Sequence, residues 1–195
     1  VVVQCAEDNY WLRDIFAHNG AIPFLWLQNM LSDRDFYFFQ LEETIQAAIG
    51  AISVEQRNQL LVSLDPAWSE AADFASRLVD DNLDLYDTLL SSREFQELHL
   101  APLAGELNES WISKARMALD MGYTPDEIAG NLFSGFFEWS GNLSDMWQGR
   151  VKKFEQLCNA EDERIQEIGH LGRRRAMLRR DSASAREREE DVFGR

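Results

Sequence analysis

The chain has 195 residues, with 19 Lys and Arg against 34 Asp and Glu, a formal net charge of −15. At 45% apolar and 27% charged it is too hydrophobic for a disordered chain, and its longest unbroken apolar run, Ala21–Leu27, is about a third of a bilayer span. Two cysteines, Cys5 and Cys158, are too few for a disulfide framework or a zinc site and point to a reducing, cytoplasmic setting.

Leu and Ala number 42 and Val, Ile and Thr together 20, a balance that favours helices over strands. The opening Val1-Val2-Val3-Gln4-Cys5 has no Met, no basic segment and no cleavage pattern, so the expectation is a fragment of a larger protein or a processed product. From there, apolar spacing and capping residues predict helices near 7–18, 23–31, 33–49, 54–64, 66–90, 93–100, 102–121, 125–138, 144–158 and 160–188. Ser53 with Gln56, Ser91 with Glu94, and Thr124 with Glu127 read as capping boxes, while Asp65-Pro66 reads as a helix start without the box. Gly20, Gly50 and Gly122 stand where left-handed residues would end helices. The expected class is all-α, about ten helices in an irregular orthogonal bundle or a solenoid-like array, with a long charged helix at the C-terminus.

Phe154-Glu155-Gln156-Leu157, then Glu161-Asp162-Glu163-Arg164-Ile165 and Ile168-Gly169, resembles the second half of a HEAT-type helical repeat. The likeness covers residues 154–172, and what it implies is a stack of helix pairs used as a scaffold.

Charge divides the chain differently. Residues 1–149 hold 7 basic and 24 acidic side chains, residues 150–195 hold 12 and 10. The sequence is therefore read as an acidic helical body, 1–158, followed by an arginine-rich helix, 159–195, in one structural unit. The helix from about Ala160 is expected to dock through Ile165, Ile168 and Leu171. Beyond Arg173 apolar burial is not expected to hold it, and the stripe has no good successor after Leu178. The last part is read either as a solvated, fraying helix or as an arm ordered by electrostatic attraction to an acidic surface, this protein's own included.

No catalytic pattern emerges, so the expected catalytic, cofactor and metal residues are none. Glu167 and His170 have the spacing of a helical metal-ligand pair, without the second copy a di-iron site needs. Asp80, Asn82 and Asp84 imitate a calcium loop, but Leu85 and Ser91 stand where it needs Gly and Glu, so the stretch reads as an acidic helix face. Residues 115–129 resemble a helix-turn-helix, with Ala118 four before Gly122 and Ile128 six after it. No Lys or Arg follows until Arg150, which makes this a corner in a core rather than a DNA reader.

The candidate contact residues are aromatic and basic. Phe36 and Tyr37 belong to an aromatic run that covers every side of one helical turn, and Trp139 stands at a turn. Arg173, Arg174, Arg175, Arg179 and Arg180 put five arginines in eight residues. Membrane docking through Ile22–Met30 lacks a basic flank, and no membrane partner is expected. The functional expectation is a non-catalytic protein–protein interaction or regulatory domain of a larger intracellular protein. The alternatives are a nucleic-acid-associated module acting through residues 173–180 and a cofactor-free enzyme whose site is not visible in sequence.

Overall fold

The computed structural model describes residues 14–16, 21–32, 41–105, 107–132 and 142–193. Among them every regular element is helical: α1 (Ala21–Ser32), α2 (Glu42–Ala51), α3 (Val54–Val62), α4 (Ala71–Val79), α5 (Leu83–Ser91), two 3₁₀ stretches (Arg93–Leu98 and Ala101–Leu103), α6 (Glu109–Asp120), α7 (Pro125–Asn131), α8 (Leu143–Leu157) and α9 (Glu163–Phe193). The expected Gly20, Phe36, Tyr37 and Trp139 lie outside the described residues, as does Cys5. The chain gathers into two compact units, 1–102 and 103–195. The change of charge at 158/159 thus falls inside the second unit, between two helices that pack on each other.

In the first unit each extensive contact joins a helix to the next one or the next but one: α1 with α2 and α3, α2 with α4, α3 with α4 and α5, α4 with α5. Ile45, Leu60, Leu61, Phe74, Leu78, Tyr86 and Leu89 fill the interior between them. The Ser53 box forms as expected, its side chain accepting from Gln56 N and Gln56 reaching back to the Ser53 amide. Arg57 then donates to the Ile49 carbonyl at 3.2 Å, satisfying an acceptor at the end of α2.

Several local readings need correction. Gly50 does not end its helix, because α2 runs on to Ala51 and extended Ile52 turns the chain. The single helix expected over 66–90 is two: Asp80 takes φ 45°, and the Asn82 side chain caps α5 by accepting from Leu85 N at 2.9 Å. The Asp80–Asp84 stretch is therefore a helix junction, not one acidic face. Asp65-Pro66 opens a turn, with Asp65 Oδ1 accepting from Ala67 N, and α4 begins only at Ala71. Ser91 closes α5, so no box forms with Glu94, and the segment beyond is 3₁₀ from Arg93. The helix expected from 102 begins at Glu109, where Asn108 caps Trp111 N at 2.8 Å. Short Asn side chains satisfied the first amides in both places, and a run of apolar spacing conceals such a break.

The second unit is organised by α9, whose contacts reach α6, α7 and, most extensively, α8. Gly122 ends α6 at φ 102°, and the Tyr123 N to Ala118 O and Gly122 N to Leu119 O bonds complete a Schellman turn. Thr124 and Glu127 then form the expected capping box of α7. Ala118 and Ile128 are buried as the corner reading required.

Helices α8 and α9 form an antiparallel hairpin whose register follows from paired contacts. Gly169 lies against Leu157 and Cys158, Gly172 against the Phe154 ring, Arg180 against Gln148, and Glu187 against Ser144. A Cβ at Gly169 would sit 2.7 Å from Cys158 N and 2.8 Å from the Leu157 carbonyl carbon. One at Gly172 would overlap the Phe154 ring, which is itself buried. The seam continues through Ala176 and Ala183, both buried, while Leu178 is 64% exposed. This corrects the expected end of apolar burial near Arg173: the anchors are alanines, and the leucine that seemed to close the stripe points outward.

Gly172→Ala should therefore cost about 1–3 kcal/mol from overpacking, despite the roughly 1 kcal/mol that alanine gains in a helix. Gly149, exposed in α8 with nothing within 4 Å of a built Cβ, supplies the control: Gly149→Ala should stabilise. Urea midpoints of the two variants are expected to move in opposite directions. Deleting residues 173–195 removes Ala176, Ala183 and Arg179, one of the two cations beside Trp147, so the second unit should lose its cooperative melting. An unchanged Tm would return the tail to a purely electrostatic arm.

Candidate functional site

The five arginines of α9 do not form one free basic patch. Arg173 Nε donates to Glu155 of α8 at 3.1 Å. Arg175 reaches α7, with Nη2 3.0 and 3.1 Å from the two Asp126 oxygens and Nη1 3.1 Å from the Asp126 carbonyl. Arg179 lies over the Trp147 ring, 5.4 Å from its centroid. Arg180 donates to Gln148 at 2.9 Å and to Asp181 beside it. Four of the five thus hold α9 against α7 and α8, two of them through carboxylates of this chain, Glu155 and Asp126. Arg174 is exposed and faces the other way, along a shallow open depression with Glu163, Glu167, His170 and Leu171, all on α9 itself.

Two further groups fix the ends of the hairpin. At its turn, Asp162 accepts from the Arg164 amide at 3.0 Å and from Arg116 Nε of α6 at 3.3 Å, while Arg164 reaches Asp120 at 2.7 Å. Burial works against ionisation of Asp162, but these bonds prevail and hold its carboxyl below the usual range. At the open end, Glu187 accepts from the Ser144 amide and hydroxyl, placing a carboxylate on the first turn of α8. Those two bonds lower its carboxyl from an ordinary 4.5.

Arg150, which sequence reading passed over, donates to the Leu132 carbonyl at the end of α7 at 2.7 Å and lies 5.5 Å from the same Trp147 centroid. Burial pushes its guanidinium down to about 10, still cationic at neutral pH. A lone Arg in a helical pattern carries no sign of such a role, since the carbonyl it meets is eighteen residues away.

In the first unit the feature of note is α1. Its twelve residues carry no charged side chain. Pro23, Leu27 and Met30 are buried, whereas Ile22 and Leu25, one turn apart on the outer side, are 40% and 56% exposed. Residues 1–102 hold 5 basic and 17 acidic side chains, so this apolar strip belongs to a unit of net charge −12.

The described histidines supply no metal centre. His99 is buried with Nε2 2.9 Å from the Ser92 carbonyl, and its own carbonyl accepts from the Tyr86 hydroxyl at 3.0 Å. Among the described residues no group of three or more His, Cys, Asp or Glu is placed to hold a metal ion. Cys158 Sγ is 3.3 Å from the Phe154 carbonyl, and burial raises its thiol pKa, the reverse of what a nucleophile needs. No described helix is long and apolar enough to cross a membrane.

The class these features define is an all-helical protein of two compact units. No family model, curated protein or solved structure matches the chain.

The Glu187 contact sets a pH dependence. A carboxyl lowered on folding contributes stability above its unfolded value near 4.5, and that contribution disappears as pH falls through the folded value. Glu187→Gln should therefore be less stable than the parent at pH 7, and the two should converge in acid. A difference that persists in acid would assign the effect to packing.

Proposed function

We propose that this chain is a non-catalytic protein-interaction or regulatory module of a larger intracellular protein. The observation that supports it is α1, an uncharged helix whose Ile22 and Leu25 are left to solvent by the described residues of its unit. Exposed apolar strips in soluble proteins mark contact surfaces. The pattern of contacts in 1–102, each extensive one joining a helix to the next or the next but one, supports a solenoid-like array, the architecture expected of a HEAT-like scaffold. The α8–α9 hairpin spans the segment whose sequence carries that resemblance.

The nucleic-acid reading through 173–180 has less support. Phosphate contacts by Arg173, Arg175 and Arg180 would have to displace carboxylates and an amide already bound within the unit. With Arg174 alone facing away, duplex DNA or RNA binding should show a slope of about −1 in log K against log salt.

The interaction reading is tested in the source cell by cross-linking and mass spectrometry on the full-length protein, parent against Leu25→Glu. One protein cross-linked through α1 in the parent and lost from the variant, with the helical circular dichroism unchanged, is the expected result. Equal recovery from both proteins would overturn α1 as the contact surface.

A further inference from the structure

Directly opposite its buried seam, α9 presents an outer face that none of the described helices of the unit covers. Glu167, Arg174, Asp181 and Arg188 lie on this face in a single line, one every seven residues, and all four are exposed. Their signs alternate: minus, plus, minus, plus. Alongside stand Leu171 and Met177, half-buried, Ala185, exposed, and Leu178, at 64% the most exposed large apolar side chain among the described residues. Neither Arg174 nor Glu167 makes an ion pair with a described residue. Arg180 binds Asp181 through Oδ1 only, and Arg188 spends Nε on the Ser184 carbonyl, so each retains capacity for a further partner.

This pattern is complementary to itself under one operation. A two-fold axis crossing the helix between Met177 and Leu178 reverses the chain direction and sets Arg174 against the partner's Asp181 and Glu167 against the partner's Arg188. Symmetry makes each pair twice, four pairs about an axis where Leu178 meets the partner's Met177. A parallel arrangement would place every charge against its own kind. Seven-residue spacing keeps such a line on one side of a helix, drifting only about 20° per heptad, and a crossing near 20° holds two helices together over that length. The line from Glu167 to Arg188 is about 32 Å long at 1.5 Å per residue.

We propose that a second copy of this chain docks antiparallel on this face, giving a two-fold dimer centred on Leu178 and registered by the Arg174–Asp181 and Glu167–Arg188 pairs. An isologous interface needs one patch that complements itself, and alternating charge on one helix line meets that requirement. The surface lies within residues 103–195 and is distinct from α1, so this proposal stands apart from the functional reading above. Exposed ion pairs around a small apolar centre make a weak, salt-sensitive dimer.

Sedimentation equilibrium of the full chain tests it, with circular dichroism verifying that each variant keeps its helicity. The parent should dimerise, and its Kd should rise at least about tenfold between about 0.1 M and 1 M salt, as the screening length falls from about 10 Å to 3 Å. Arg174→Asp and Asp181→Arg, each of which opposes like charges across the axis, should each weaken the dimer about tenfold or more. The double variant Arg174→Asp/Asp181→Arg, with both signs exchanged, should recover to within about threefold of the parent. Leu178→Ser should weaken the dimer without altering its salt dependence. A chain still monomeric at about 1 mM overturns the proposal. So does a dimer indifferent to the single reversals, or one in which the double variant does no better than the singles.

Discussion

The second unit depends on how closely α8 and α9 approach each other. A 31-residue helix rich in Arg and Glu has few large apolar groups with which to dock, and bulky residues would hold its partner at a distance. Gly169 and Gly172 remove the side chain where contact is tightest, so that the Phe154 ring and the turn at Leu157–Cys158 rest on bare backbone. Once that distance is fixed, Ala176 and Ala183 are large enough to fill the seam farther along. Dispersion falls steeply with separation, and small residues in close contact can replace a leucine stripe that stands farther off. The arginines could then be spent on orientation.

That orientation is specific because the side chains are arginines. Arg175 engages both oxygens of Asp126 and a carbonyl, a forked geometry an ammonium cannot reproduce. Arg150 and Arg179 approach one indole, and Arg150 also meets a carbonyl at the C-terminal end of α7. Each exposed pair contributes only about 0–1 kcal/mol. Their effect is to select one rotation of α9, which turns Arg174 and Leu178 outward and the small residues inward. The first unit follows another logic. There Leu, Ile and Phe fill the interior, and none of the described charged side chains is buried. Arg77, bridging Glu42 of α2 and Asp73 of α4, is one of its few basic groups.

Much of this was legible in the sequence. The excess of Leu and Ala over β-branched residues, the Ser53 and Thr124 boxes, and Gly122 with Ile128 each act within a turn or two, and local chemistry settles them. The long basic helix was also evident, and its beginning was placed within three residues of Glu163. The break at Asp80–Asn82 was not, because two Asp and an Asn are equally at home on a helix face and at a cap. Nor were the partners of the arginines. Asp126, Gln148 and Glu155 are 49, 32 and 18 residues from them, and nothing in a linear charge run singles them out.

By itself, then, the sequence determined the class of structure, the caps at Ser53, Gly122 and Thr124, and the charged character of the two ends, since those properties follow from residue type and short spacing. The tertiary structure decided which face of α9 is buried. Alanine and glycine become anchors only when another helix comes close, and leucine is an anchor only if it points that way. Leu178 and Ala176 lie two residues apart in sequence and on different sides of one helix, one in water and one in the seam. Burial belongs to the pair of surfaces in contact, and a single strand of sequence contains only one of them.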